Sequence, residues 1–271
     1  MHRYSVFGGS LLSAVAFPEL RPRSDGSADW TLLHAEGVAP EVEAELLGED
    51  QVDVSVRVRL FRLAAGFRLV YDDTGTFDVI DQGTRIRWHP GAEPRPEAVR
   101  LDVLGRVLPV ALHASGALCL HGSAVAIEGR GIAFLAPKLH GKSTLAQAMV
   151  SAGARMASDD VVPVYAGHPP RMAPGVPSAR LWSDALEHLG ARMPSGIAAD
   201  EKHTLDLPPD ERLMLKPLPL AAVYLLKPTE LSAGEAPAHR TQLPPLQAAL
   251  ALLREAKLGA LLGQSEAGVL L

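Results

Sequence analysis

The sequence predicts an α/β protein: a P-loop kinase-type core, with a mixed sheet and flanking helices, preceded by a β-rich N-terminal region. Three observations predict this. Residues 120–163 run in the order apolar strand, loop ending Gly141-Lys142-Ser143-Thr144, helix, second strand, and the acidic pair Asp159-Asp160. Residues 1 to about 95 look β-rich, and 52–60 alternates with period two, as a half-buried strand does. The Pro-rich stretch PGAEPRP, residues 90–96, breaks the chain between the two regions. The organisation is therefore read as a β-rich domain, 1–95, followed by an α/β domain, 96–271.

In chain order, 52–60 (VDVSVRVRL) predicts a strand of period two, and 66–71 and 84–88 predict two more. Asp72-Asp73-Thr74-Gly75 lies between the latter two. Asp, Thr and Gly supply ordinary turn chemistry, so this acidic pair is read as a turn and not as a metal site. Trp30 and Trp88 are read as packing residues. After the break, 97–115 predicts a helix with Val99, Val103, Val107, Val110 and Ala111 on one face. His113, near its end, is assigned a capping or surface role. Residues 118–127 read as one strand, Gly129-Arg130 as a turn, 131–135 as the strand feeding the loop, and 145–152 as the helix after it. Beyond residue 163 come a Pro/Gly loop (167–175), a short helix (183–190) with Ser183 as N-cap and Gly190 after its end, and a flexible loop (192–200). An apolar strand (218–226), a linker (231–245) and an Ala/Leu helix (246–262) follow. That last helix carries little charge and should pack on the body or on another subunit.

The central loop reads Ala136-Pro137-Lys138-Leu139-His140-Gly141-Lys142-Ser143-Thr144. A helix starting near Gly141 points free N–H groups and the positive end of its dipole into this loop, which favours an anion such as a triphosphate. Lys142 is placed to reach the β- and γ-phosphates of ATP, and the Ser143 hydroxyl to ligate Mg²⁺. A carboxylate from Asp159-Asp160 can hold the metal or its waters, or take the proton of an attacking hydroxyl. The loop departs from G-x-x-x-x-G-K-[ST] at its first position, where Ala136 stands. Lys138, Leu139 and His140 fill places that are usually small.

Composition narrows the function. At 271 residues the chain is one large domain or two small ones, and 47% hydrophobic residues suffice for a core. A net charge of −5 and a pI of about 6.1 disfavour general nucleic-acid binding. The single cysteine, Cys119, lies in an apolar run and is read as a small buried hydrophobe. No opening signal segment and no apolar run of membrane-spanning length is seen, so a cytoplasmic protein without membrane partners is expected.

His121-Gly122-Ser123, the loop ending Gly141-Lys142-Ser143-Thr144, and Ser158-Asp159-Asp160 together resemble the catalytic domain of HPr kinase/phosphorylase. They look most like the HPr-kinase-like proteins of bacterial natural-product and peptide-modification clusters, some of which act on lasso-peptide precursors. Tyr4-Ser5-Val6-Phe7-Gly8, 177–189 (PSARLWSDALEHL) and 218–226 (LPLAAVYLL) extend the resemblance over most of the chain. It implies an ATP- and Mg²⁺-dependent kinase acting on a hydroxyl, a serine of a peptide or protein. In that reading Lys142 contacts the transferred phosphoryl group and Ser143 binds Mg²⁺. Asp160 accepts the substrate proton, Asp159 holds the metal or its water, and His121 sits near the γ-phosphate and helps place the acidic pair. Arg180 and Lys202 are candidate further cations for substrate or phosphate, with a surface-loop lysine left open as the alternative for Lys202. The downstream Glu-Ile-Arg-Gly motif has no clear counterpart: Arg180 aligns with its Arg and Ser178 replaces its Glu. The reading is therefore a simple kinase without the reverse activity. A homo-oligomer is permitted, and the β-rich region is either a recognition surface or an oligomerisation domain. Two alternatives stay open: a kinase of a small alcohol such as free serine, and a non-catalytic nucleotide-dependent binding module.

Overall fold

The structure, a computed structural model, describes residues 1–176, 180–182, 202–204, 212–227 and 238–262; for residue 53 and for 180–182 and 202–204 it describes the backbone alone. The first 90 residues build a nine-stranded sheet. Its strands are β1 (His2–Val6), β2 (Gly9–Ser13), β3 (Arg21–Pro22), β4 (Trp30–His34), β5 (Glu45–Asp53), β6 (Val56–Leu63), β7 (Gly66–Tyr71), β8 (Gly75–Ile80) and β9 (Arg85–Pro90). They lie in the order β3-β1-β2-β4-β9-β8-β7-β6-β5. β4 runs parallel to both β2 and β9, and the other pairs are antiparallel.

The period-two run 52–60 is not one strand. It folds back at Val54-Ser55, where Asp53 pairs with Val56 across a two-residue turn. Val54 at the tip is 97% exposed, while Val58 and Leu60 are fully buried. Alternation of β-branched residues holds up to a tight turn and resumes after it, so it cannot mark the turn itself. The reading of 72–75 as a turn holds: it closes the β7–β8 hairpin, and Asp72 binds Arg59 at 3.0 Å. Trp88 packs flat on Phe77, with ring centres 6.0 Å apart, and donates to the Thr74 carbonyl.

The helix predicted over 97–115 forms as α1 (Pro96–Asp102), a π-helical turn (Val103–Val107) and α2 (Leu108–Ala114). Pro109 explains the interruption. It has no N–H to give Gly105, and its ring crowds that carbonyl, so the turn widens and the Leu108 N–H reaches Val103 instead. Val99, Val103, Val107, Val110 and Ala111 are all fully buried. His113 stands half-buried in the last turn of α2, and no capping bond from its side chain is seen there. Its ring packs on Phe67 at 5.8 Å, and burial, helped by the Arg62 charge, pushes its pKa down.

The second sheet has seven strands: β10 (Ala117–Leu120), β11 (Gly122–Ile127), β12 (Arg130–Leu135), β13 (Arg155–Ser158), β14 (Val162–Tyr165), β15 (Arg171–Met172) and β18 (Leu218–Leu225). Their order is β10-β14-β15-β18-β12-β11-β13, with only β12 and β18 parallel. Two short strands, β16 (Arg180–Trp182) and β17 (Lys202–Thr204), pair separately. The helices of this half are α3 (Lys142–Ser151) and α4 (Pro245–Arg254). Both faces of the sheet are covered. Ala124, Ala126, Ala133 and Leu135 enter one core cluster, whereas Val125 and Phe134 enter another beneath Ala146 and Val150 of α3. A third cluster joins the nine-stranded sheet, α1–α2, Cys119, Val161 and Leu258, Leu261 and Leu262. It includes residues from both sides of the loop at 91–95.

Two further expectations are corrected. The strand predicted over 118–127 breaks at His121: β10 pairs with β14, while β11 pairs with β12 and β13. The following turn is Glu128-Gly129, one residue earlier than read; both have positive φ (48° and 74°), as a tight hairpin turn requires. The helix predicted over 246–262 stops at Arg254. There the Ala256 backbone bridges to Leu120 and the Lys257 N–H donates to the Cys119 carbonyl (2.8 Å), before a helical turn at 259–262. The helix expected at 183–190 and the loop at 192–200 lie outside the described residues, as does much of the linker at 231–245. Among the described residues, no helix is long and apolar enough to cross a membrane.

Asp102 gives this fold a pH dependence. Its carboxyl is 5% exposed and accepts a hydrogen bond from Thr74 Oγ1 at 2.7 Å. Burial is the largest influence and pushes its pKa up to about 7, against the Thr74 bond and the Arg106 charge. A carboxyl that holds its proton more tightly when folded stabilises the fold at low pH. That advantage is lost as pH rises from about 4 through about 7, amounting to about 4 kcal/mol. Asp102→Asn, which mimics the protonated group, should therefore gain stability relative to wild type across this window. Denaturant midpoints of both proteins from pH 5 to 8 check this; parallel curves would contradict it.

Candidate functional site

The site is assembled where β12, α3 and β13 end together. β12 delivers the chain to Ala136, which is fully buried. The loop then turns through two left-handed residues, Leu139 (φ 68°) and Gly141 (φ 77°). Gly141 adopts this conformation without cost, whereas Leu139 is strained and projects its side chain 76% exposed. His140 Nδ1 donates to the Lys138 carbonyl at 2.7 Å, a contact internal to the loop. Pro137, Lys138 and His140 are exposed. α3 begins directly at Lys142, three residues earlier than the helix read from the sequence, and its first internal bond runs from the Leu145 N–H to the Gly141 carbonyl. No side chain caps it. The first turn of α3 thus begins at the loop with its N-terminal end toward it, the orientation in which a helix dipole favours an anion.

Lys142 is 7% exposed and curls back over the loop, with Nζ donating to the carbonyls of Ala136 (2.7 Å) and Pro137 (3.0 Å). Next to it, Ser143 Oγ donates to Asp159 Oδ1 at 2.8 Å. Ser123 of β11, fully buried, donates to the same carboxylate oxygen at 2.6 Å, and its Oγ lies 3.4 Å from that of Ser143. The sequence-predicted residues Ser143 and Asp159 are thus in direct contact. Ser123 belongs to the His121-Gly122-Ser123 segment quoted for the resemblance, but it had no assigned role.

The acidic pair sits on a tight turn. The Val161 N–H donates to the Asp159 carbonyl at 2.9 Å around Asp160, whose φ is 70°. This is the geometry of a γ-turn with positive φ, a rare and strained form. The turn is braced from outside. Ser158 Oγ donates to the Val161 carbonyl, and the Asp159 N–H to the Val176 carbonyl. Gly175 allows that close approach, since a Cβ there would lie 1.7 Å from Ser158 Oγ.

Asp160 faces one cation, Lys257, and the His121 ring. Its Oδ1 is 3.1 Å from His121 Nδ1, and its Oδ2 is 2.6 Å from Lys257 Nζ. His121 occupies the break between β10 and β11, where its N–H donates to the Glu255 carbonyl at 2.7 Å. Crowding by surrounding atoms works against ionising Asp160. The Lys257 charge and the His121 and Lys257 hydrogen bonds nonetheless hold its carboxyl well below the usual carboxylate range. Its side chain stays 52% exposed, so this ion pair is screened by water on its open side. Lys257 was missed in the sequence because it lies in what reads as a continuous Ala/Leu helix, and only the break at Arg254 turns it toward Asp160.

The oxygen set fits a small hard cation. One carboxylate and two hydroxyls offer oxygen ligands alone, and Mg²⁺ binds through one or two carboxylates plus waters and phosphates. No group of three or more His, Cys, Asp or Glu residues able to hold a metal occurs among the described residues, so a protein-only cage is not built there. Arg180 and Lys202 fall on β16 and β17, whose backbones pair, with Lys202 opposite Trp182; their side chains lie outside the described residues.

Loop, helix start and carboxylate turn define a mixed α/β protein in which the start of a helix stands beside a carboxylate. No family model matches the chain, and no curated protein matches it. Among solved structures it is similar to the HPr(Ser) kinase/phosphatase from Coxiella burnetii, at 17% identity over 46% of this chain and 76% of that one, with a TM-score of 0.31. A likeness at that level carries no argument about fold or activity.

Proposed function

We propose that the chain is a kinase of the HPr-kinase type, moving the γ-phosphate of ATP, with Mg²⁺, to a hydroxyl: a serine of a peptide or protein. One observation carries this reading. At the start of a helix, Ser143 Oγ and Asp159 Oδ1 stand 2.8 Å apart beside a lysine folded over the loop. Ordinary helix starts do not need a buried lysine and a shared carboxylate. A phosphate loop with a metal site does.

Bound Mg²⁺–ATP would supply the transferred group and the charge that steadies it. The chain's own residues do the rest. Ser143 and Asp159 would hold the cation, and Lys142, now on the loop carbonyls, would meet the phosphates. The Asp160 carboxylate orients the acceptor hydroxyl and takes its proton. Held by the Lys257 ammonium and by the His121 ring, Asp160 is a weak base, which suits phosphoryl transfer, where positioning and charge outweigh proton abstraction. His121 keeps Asp160 aimed. The nine-stranded region, which shares a core cluster with α1–α2 and the C-terminal leucines, is proposed as the part that recognises the acceptor or joins subunits.

The test is phosphorylation itself. The purified chain, ATP, Mg²⁺ and serine-containing peptides are incubated and read by mass spectrometry, beginning with precursor peptides from bacterial peptide-modification clusters. A gain of about 80 Da on a serine is expected. ATP bound without any such gain, on peptides or on free serine, would overturn the kinase reading in favour of a nucleotide-dependent binding module.

A further inference from the structure

We propose that Lys257 is a positioning residue of this site, fixing the Asp160 carboxylate from the C-terminal end of the chain. The inference rests on the kinase reading above and extends it to a residue that no motif marks. Three observations carry it. Lys257 Nζ contacts Asp160 Oδ2 at 2.6 Å, opposite the oxygen that His121 holds, so the carboxylate is gripped at both ends. The lysine side chain is only 14% exposed, unlike a solvated surface lysine.

The backbone beneath it is anchored on both sides. Before it, the Glu255 carbonyl accepts from His121 and Ala256 bridges to Leu120; at Lys257 itself the N–H donates to Cys119. After it, Leu258, Leu261 and Leu262 are 3%, 1% and 4% exposed, in the core cluster shared with the nine-stranded sheet. Edge strand β5 presses on this segment, since a Cβ at Gly48 would lie 2.6 Å from the Ala260 carbonyl. The amine is therefore delivered from a rigid base. The two side chains that grip Asp160 also come from one junction, because His121 and Glu255 share a backbone hydrogen bond. A strained turn at Asp160 gains from this restraint, because the productive carboxylate orientation is not otherwise the relaxed one.

The test uses the full chain with Mg²⁺–ATP and water as the acceptor, following ADP release, with affinity for a fluorescent ATP analogue measured in parallel. Lys257→Met is expected to lower turnover at least about 30-fold with affinity changed less than about twofold, and Lys257→Arg to recover about tenfold of that loss. Turnover within about threefold of wild type would overturn the inference. So would turnover and affinity falling together, or an Arg variant no better than Met. A readout without turnover accompanies this: acylation of Lys257 by an amine-reactive reagent, followed by mass spectrometry, should speed up at least about fivefold in Asp160→Asn, because the pair is weakened. No change in that rate also overturns it. A wild-type chain that binds ATP but neither releases ADP nor phosphorylates any serine peptide or free serine refutes the kinase reading instead, so the two failures are distinguishable.

Discussion

Replacing Asp160 by asparagine is expected to lower phosphoryl transfer by about 10²- to 10⁴-fold while leaving ATP affinity within about twofold. The substitution is chosen for its backbone. Asp160 has φ 70°, and asparagine is among the few side chains that tolerate the left-handed region, so the turn can persist. The amide oxygen can still accept from Lys257, while the negative charge and the ability to take a proton are gone. Steady-state transfer and nucleotide titration on the same preparation separate chemistry from binding. Equal transfer by variant and wild type would remove Asp160 from the mechanism.

Lys142→Ala should behave differently, weakening binding and chemistry together. Its ammonium closes the loop through the Ala136 and Pro137 carbonyls, and in the proposed reaction it moves to the phosphates. Losing a preorganised charge of this kind costs about 10²- to 10³-fold in transfer. ATP affinity should fall at least about tenfold, since the same charge binds the ground-state phosphates. The buried carbonyls left behind lose a partner, so the fold should also lose about 1–3 kcal/mol. A variant with intact ATP affinity would show that the loop does not hold phosphates.

The parts of this molecule legible in the sequence are those where local pattern and tertiary structure agree. The apolar entry to Leu135, a helix starting near Gly141 and an acidic pair Asp159-Asp160 at a strand end are legible because their chemistry depends on neighbours in the chain, whereas the turn at Asp160 is not. The valine face of 97–115 was equally visible. Sequence reasoning failed where a break leaves the hydrophobic pattern unchanged. Val54 continues the alternation of β5 into β6 through a hairpin tip. Residues 118–127 are apolar except at His121-Gly122-Ser123, and that short interruption does not show that His121 separates two strands with different partners. At residues 246–262 the Ala/Leu composition hides the stop at Arg254. The strain at Leu139 and Asp160 and the contact of Lys257 with Asp160 arise from long-range packing that no window reports.

The central claim is that Lys142, Ser143 and Asp159 together hold a metal-bound triphosphate. Calorimetric titration of the full chain with ATP, in Mg²⁺ and then in excess chelator, tests it most directly. The account predicts binding at least about tenfold tighter with Mg²⁺, with that advantage lost in both Ser143→Ala and Asp159→Asn. ATP affinity indifferent to Mg²⁺, or an advantage that survives both substitutions, would contradict it.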